Sequence, residues 1–288
     1  MLVSVIIPTT CDVRRQAVLR RALASVWAQD VEIELILVVN GDGFDAGLLA
    51  ELRADARLKI LQLAQGNVSV ARFAGLQQTR GDFFCFLDDD DEFLPGAFQQ
   101  RLKLFGDDVD VQVCNGYEYS GRDELWVPAE EAACINQDPI GTFLRSNWFA
   151  SPAAMFRSQR VDRNLFDMPQ RYFEWTLLFF HLHQAGLRVR FCDVLAYRKY
   201  EDNPLSVSKS KAYAEAYPLV LQELLSAGVL RGKHRQQLRA KYAAALNALA
   251  QAELNAGHLA AAWRAHLRCL ASGGLTYLSF TRHLFRWP

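Results

Sequence analysis

Four consecutive carboxylates, Asp88-Asp89-Asp90-Asp91, follow the apolar run Phe83-Phe84-Cys85-Phe86-Leu87. Adjacent carboxylates repel one another at short range, and a divalent cation with oxygen ligands offsets that cost. Mg²⁺ or Mn²⁺ suits such a donor set, and both commonly share their sites with phosphate oxygens. In open α/β sheets ligands collect at the carboxyl ends of strands, which is where this run stands. The competing role is an acidic turn capping the helix expected after Pro95, because Asp favours turns and helix N-termini. Other phosphate chemistries fit less well. An Asp-x-Asp-x-Thr nucleophile motif needs Thr where the sequence has Glu92, and neither Gly-x-x-x-x-Gly-Lys-Ser/Thr nor Gly-x-Gly-x-x-Gly occurs after a strand.

Three more loops follow apolar runs of strand type. Pro8-Thr9-Thr10 ends Val3 to Ile7, Asn40-Gly41-Asp42 ends Glu34 to Val39, and Gln65-Gly66-Asn67 follows Leu58 to Leu63. Between them the apolar positions recur with helical spacing: Val18, Leu19, Ala22, Leu23 and Val26, then Leu48, Leu49 and Leu52, then Val68 to Thr79. Strands apolar on both faces and alternating with helices imply an α/β fold, a mainly parallel sheet covered on both sides by helices. The middle, from about residue 109 to 200, is less regular. It holds strand-like pieces at Val109 to Tyr119, Ala153 to Arg157 and Val189 to Tyr197, and a helix at Phe173 to Ala185. After Asp202-Asn203-Pro204 the composition turns to Ala, Leu, Gln and basic residues in helical period, which places a boundary near residue 208. Tyr242 to Leu254 and Leu259 to Leu270, joined at Ala256-Gly257-His258, read as one helical hairpin resembling a single tetratricopeptide unit.

The 288 residues carry 32 Lys+Arg and 32 Asp+Glu. Zero net charge argues against a nucleic-acid partner. The balance is uneven, however: residues 209–288 hold 11 basic and three acidic side chains, a surplus that suits either an anionic surface or a solvated helical face. The six cysteines are scattered without Cys-x-x-Cys spacing and read as small buried apolar residues in a reducing compartment. The sequence runs from Met1 directly into Val3 to Ile7, with no basic leader and no apolar stretch of membrane-spanning length. A cytoplasmic protein is expected, with peripheral attachment to the inner face of the membrane as the alternative raised by the basic tail.

In order and spacing, four stretches resemble the family 2 glycosyltransferases of GT-A fold over roughly residues 3 to 208. They are Val3-Ser4-Val5-Ile6-Ile7-Pro8-Thr9, Glu34 to Asn40, Asn67 to Gly75 with Ala71-Arg72, and Gly81 to Asp91 with Pro95. The resemblance implies a glycosyltransferase domain over residues 1–208, with a nucleotide-sugar half at 1–108 and an acceptor half at 109–208, followed by a helical region at 209–288. It implies inverting transfer of a sugar from a nucleotide-diphosphate donor, a UDP-sugar first among them, to a hydroxyl of a saccharide or lipid-linked acceptor, in surface polysaccharide or glycolipid assembly. Asp90, with Asp88, matches the metal-binding Asp-x-Asp carboxylates; Pro8, Thr9, Thr10, Asn40, Asp42, Arg72, Asp88 and Asp89 fall at nucleotide-sugar positions. The second strand departs from the family pattern by ending Asn40-Gly41-Asp42-Gly43, so the base contact falls to Asp42 or Asn40.

By the same resemblance Tyr172-Phe173-Glu174-Trp175 matches the stretch that carries the catalytic base, with Glu174 in place of the usual Asp and Trp175 beside the acceptor. A carboxylate at a helix start also simply complements the helix dipole. Arg198, in Tyr197-Arg198-Lys199-Tyr200, matches a late loop that closes over the diphosphate through Asn203 and Ser206 to Ser208; a surface strand end is the alternative. Trp148 offers a face for a sugar ring, against its use as a core residue. His181 and His183 lie on an apolar helix and are expected to pack rather than ligate. The segment Leu275 to Trp287 mixes aromatic, apolar and basic residues as a membrane-surface segment does, or docks on its own domain. Two rival functions stay open on the residues alone: a metal-dependent phosphotransferase or phosphatase, and an inactive binding or scaffold protein of the same fold.

Overall fold

The computed structural model describes residues 1–168, 172–201 and 210–285. These fall into two compact units, residues 1–139 with 147–201 and residues 140–146 with 210–285. The sequence boundary near residue 208, and the Asn203 to Ser208 loop, lie outside the described residues.

The centre of the first unit is built on strands buried on both faces. β1 (Leu2–Thr9) is buried along nearly its whole length and lies parallel to both β2 (Glu32–Asn40) and β4 (Phe83–Phe86), and β2 is parallel to β3 (Leu58–Leu63). Parallel strands need crossovers, supplied by α1 (Gln16–Trp27), α2 (Ala46–Arg53) and α3 (Val68–Leu76). Beyond β4 the sheet changes character. The full order is β3-β2-β1-β4-β8-β6-β9-β5, with β5 (Glu92–Phe93), β6 (Val111–Tyr119), β8 (Ala154–Arg157) and β9 (Val189–Tyr200), and β7 (Asp123–Leu125) pairing β6. β8 runs antiparallel to β4 and to β6, and β5 antiparallel to β9, while β6 and β9 are parallel. The sheet is therefore mixed. A short β8 wedged between β4 and β6 gives no signal of direction in the sequence. Around it run α4 (Ala97–Leu104), α5 (Ala129–Ile135) and α7 (Glu174–Gln184).

The aromatic side chains of the middle region fill the core beside β4 and β8. Phe84 stacks on Phe156 at 4.9 Å between centroids, and Trp148, fully buried, packs edge-on against Phe179 at 5.1 Å. Each large apolar side chain taken from water there contributes roughly 1.5–3 kcal/mol. Arg101 is also fully buried, donating to the carbonyls of Pro152, Ala153 and Gln112, and so fixes the turn that precedes β8.

The second unit is helical. α6 (Pro139–Arg145) belongs to it, with α8 (Lys211–Ser226), α9 (Gly232–Asn255), α10 (Leu259–Ala271) and α11 (Thr281–Phe285). Leu254, Ala262 and Leu284 form a core against Leu259, Trp263 and Phe280, and Lys241 Nζ donates to the Leu144 carbonyl of α6. No described helix is long and apolar enough to cross a membrane. Of the six cysteines, four are buried as expected, Cys192 is half-buried and Cys134 is exposed.

α3 is pressed onto the sheet at Gly75, where a Cβ would lie 2.5 Å from Ile6 Cγ2 and 2.8 Å from Val38 Cγ2, both on buried residues. No bulkier residue fits without moving the helix, so Gly75→Ala is expected to cost ~1–3 kcal/mol. The measurement is the urea midpoint, which falls at unchanged slope if the damage is local overpacking.

Candidate active site

The carboxyl ends of β1, β2 and β4 and the start of α7 bring most of the sequence candidates together. The four aspartates do not act as one cluster. Burial alternates along them: Asp88 and Asp90 are half-buried, whereas Asp89 and Asp91 are 7% and 2% exposed. Asp89 turns inward, accepting at Oδ2 from Thr9 Oγ1 at 2.6 Å and at Oδ1 from Arg15 Nη2 at 2.5 Å. Asp91 turns inward to accept from the Tyr200 amide at 3.0 Å. Asp88 and Asp90 remain partly exposed, each held by one arginine. Arg72 Nη2 reaches Asp88 Oδ1 at 2.6 Å, where Ser151 Oγ also donates at 3.3 Å, and Arg15 Nη2 reaches Asp90 Oδ2 at 2.9 Å.

Arg72 is the junction of the site. It sits on α3, whose first turn is capped by Asn67 Oδ1 accepting from the Ser69 and Val70 amides. Its side chain is 8% exposed, and its second arm donates from Nη1 to Glu174 Oε1 at 2.5 Å. One guanidinium thus joins a carboxylate at the end of β4 to a carboxylate at the start of α7. The two charges raise the Arg72 pKa against the desolvation that opposes them. Glu174 is the first residue of α7, and Phe173 before it adopts a left-handed backbone (φ 60°). The other non-glycine residue with positive φ, Cys11 (φ 52°), follows Thr9, to whose hydroxyl its amide donates. Such conformations persist only where surrounding contacts enforce them, and both flank this site.

Beside Glu174 an open pocket is lined by Ser69, Arg72, Phe166, Met168, Trp175 and Leu178. Trp175 closes one wall, with the Arg72 guanidinium 5.5 Å from its ring centroid. The wall is apolar, a surface for the CH face of a sugar ring.

The remaining candidates separate. Thr10 and Asp42 are exposed at the strand ends, while Pro8 is buried. Asn40 Nδ2 donates to the Thr9 carbonyl, tying β2 to β1. The hydroxyl of Thr9 and both oxygens of Asp89 are consumed internally, so these two side chains hold the loop rather than face a nucleotide. Trp148 is a correction: with no exposed surface it belongs to the core, and no sugar can stack on it. Arg198 pairs with Glu92, which directly follows the four aspartates, at 2.5 Å and with Asp123 at 2.8 Å. His181 is half-buried and His183 exposed, on α7. The sequence reading missed Arg15, Arg21 and Ser151. Arg21 donates to the Asp90 carbonyl and stacks on Tyr200 at 3.6 Å. The Arg14-Arg15 pair in the loop after β1 was the available signal for Arg15; Ser151 had none.

Asp88 Oδ2 and Asp90 Oδ1 have no hydrogen-bond partner among the described residues, which leaves one hard oxygen donor on each. Among the described residues no group of three or more His, Cys, Asp or Glu side chains encloses a cation position. Two outward carboxylates fit a cation that takes its other ligands from phosphate and water, as Mg²⁺ and Mn²⁺ do.

The chain matches the family model for glycosyl transferase family 2 over residues 4–193. It is 28% identical over 223 residues to the uncharacterized glycosyltransferase EpsJ of Bacillus subtilis (strain 168), a stretch covering 72% of this chain and 63% of that one. It is 31% identical over 100 residues to the putative glycosyltransferase EpsH of the same organism, covering 34% and 29%. The chain therefore spans less than two thirds of these curated relatives. Among solved structures, S. aureus TarS 1-349 in complex with UDP-GlcNAc superposes with a TM-score of 0.60 at 20% identity, over 86% of this chain and 72% of that one. A second crystal structure of S. aureus TarS 1-349 gives 0.59 at 21% identity, over 92% and 81%. The fold is the GT-A type, and the chain belongs to glycosyl transferase family 2.

Burial pushes the Asp91 carboxyl well above its ordinary range, and the charges of Asp88 and Asp90 push it further. A pKa raised on folding gives stability that is full below the unfolded value near 4 and is lost as pH rises through the folded value. Asp91→Asn removes that loss while keeping an acceptor for the Tyr200 amide. The variant is expected to melt about 2–6 °C higher at pH 7, with the gap closing below pH 4, as followed by thermal denaturation across pH.

Proposed function

We propose, from membership of this family, that the protein is an inverting glycosyltransferase that takes a sugar from a nucleotide diphosphate and delivers it to an acceptor hydroxyl. The observation that carries the reading is the Arg72 bridge, which sets Asp88 and Glu174 on opposite sides of one guanidinium. A donor-side carboxylate and an acceptor-side carboxylate so close together suit direct displacement with no covalent enzyme intermediate. A UDP-sugar is the first donor to test, since a relative of the same fold is solved with UDP-GlcNAc.

Asp88 and Asp90 would hold Mg²⁺ or Mn²⁺, with Thr10, Asn40 and Asp42 at the rim for the nucleoside. When bound, the cation supplies Lewis-acid stabilisation of the negative charge that grows on the departing diphosphate. Arg72 contributes fixed positive charge at the same end without reorganising. Glu174 accepts the acceptor's hydroxyl proton as that oxygen attacks, on the face opposite the leaving group, so the anomeric configuration inverts. Trp175, Phe166, Met168 and Leu178 shield this face from water and seat the acceptor. Asp89, Thr9 and Asp91 keep the loop in place.

The acceptor belongs, in this reading, to surface polysaccharide or glycolipid assembly at the cytoplasmic face of a membrane. The support is a stripe on the helical unit. Leu275 and Leu278 are 69% and 57% exposed, three residues apart in a 3₁₀ helix that eclipses them. Arg282 and the 76% exposed Phe285 follow on α11, the Phe285 ring edge-on to Trp263.

Activity, donor binding and membrane binding test these statements. Product formation from a panel of UDP- and GDP-sugars with Mn²⁺ should show an inverted anomeric centre by NMR. Glu174→Gln should lower turnover by ~10²–10⁴-fold while donor affinity holds or tightens, and Asp90→Asn should weaken donor binding in Mn²⁺; full turnover in Glu174→Gln removes it as the base. For the membrane surface, Leu278→Asp with Phe285→Asp should reduce co-sedimentation with phosphatidylglycerol-containing vesicles, and neither form should pellet with phosphatidylcholine alone.

A further inference from the structure

Arg15 lies outside every motif used so far, yet it neutralises the outward side of the acidic loop. It ends a 3₁₀ turn, Val13–Arg15, capped by Asp12. A single nitrogen, Nη2, serves both Asp89 Oδ1 and Asp90 Oδ2, at 2.5 and 2.9 Å, and the side chain is 30% exposed. The two neighbouring arginines are placed differently. Arg72 is 8% exposed and fixed at both arms, and Arg21 is occupied by a carbonyl and by the ring of Tyr200. Of the two arginines that pair with these aspartates, Arg15 is the more exposed, and its Nη2 can give up Asp90, whose side chain is 26% exposed, while keeping the buried Asp89.

A dication and a guanidinium cannot both neutralise Asp90 at close range without repelling each other. We propose that Arg15 is a handover residue: in the ligand-free protein it stands in for the cation on Asp90, and on loading it gives up that carboxylate and moves to the phosphate oxygens of the incoming nucleotide. The proposal rests on the donor reading above. Its consequence is a pair of effects of opposite sign. Arg15 opposes binding of the cation alone and favours binding of the cation with a diphosphate, so the site takes free metal more weakly than the pair.

The test uses the full chain with Mn²⁺ alone, followed by electron paramagnetic resonance, and then UDP at saturating Mn²⁺, followed by calorimetry. Arg15→Gln is expected to tighten Mn²⁺ alone by about 5- to 20-fold and to weaken UDP by about the same factor. Arg15→Lys, a point charge without the fork, is expected to fall between wild type and Arg15→Gln on both readouts. Thermal melts identify any variant that fails to fold, in which case Arg15→Lys decides. Weaker binding of both ligands would assign Arg15 a purely structural role and overturn the proposal. Unchanged Mn²⁺ affinity would overturn the stand-in, and unchanged UDP affinity would overturn the handover. If the wild type binds Mn²⁺ but no UDP, the donor reading fails while the metal arm still decides whether Arg15 competes.

Discussion

A buried guanidinium between two carboxylates is the constraint on which the site depends. Taking Arg72 to 8% exposure costs several kcal/mol in lost hydration, and that cost is met only if Asp88 and Glu174 are both in place. The pair spans 16 and 102 residues of sequence, so the ends of β4 and α7 are fixed to α3 by one side chain. Everything that positions α3 then positions the chemistry: the Asn67 cap at its start, Gly75 against Ile6 and Val38 one turn after Arg72, and the parallel pairing of β1 with β2 beneath. A displaced helix would leave two carboxylates and a guanidinium partly desolvated with no partners. The fold and the site therefore stand on the same contacts.

Much of this was legible in the sequence because two periodicities are strong. The unbroken apolar runs at β1, β2 and β4 announce buried parallel strands, and the loops that follow them are where ligands gather in such sheets. The aspartates were legible on that ground, whereas Arg72, Glu174 and Trp175 came from the family resemblance alone, and the structure joins them to Asp88. What was not legible depends on which way a side chain turns at a strand end and on which distant segments meet. Thr9 is the last residue of β1 and points to Asp89; nothing in Pro8-Thr9-Thr10 distinguishes it from its exposed neighbour Thr10. Trp148 and Trp175 look alike as tryptophans in an irregular region, but one packs against Phe179 in the core and the other lines the pocket. Arg198 carries the right charge in a plausible loop and is committed to Glu92 and Asp123 through the pairing of β5 with β9. The wedge of β8 between β4 and β6, which makes the sheet mixed and delivers Ser151 to Asp88, follows from tertiary packing alone.

Four adjacent aspartates are a liability unless they are sorted, and the sorting explains the run. The inward residues need donors supplied from elsewhere in the fold: Thr9 and Arg15 for Asp89, the Tyr200 amide for Asp91. Those bonds tie the loop to β1 on one side and to β9 on the other, which is what holds the outward pair in register. The outward carboxylates keep one oxygen on an arginine and one without a hydrogen bond among the described residues. Substituting an inward aspartate by an apolar residue would free the loop; substituting an outward one would leave the loop in place and change its charge. The same residue type thus does two jobs set by burial alone. Asp90 illustrates the balance: desolvation and the neighbouring Asp88 push its pKa up, against Arg15, so the charge it presents is already strained before any ligand arrives. An added positive charge on the ligand side relieves that strain, and a negative diphosphate alone would deepen it. Under the proposed function, cation and diphosphate would therefore enter together, with Arg15 and Arg72 as the counter-charges beside them.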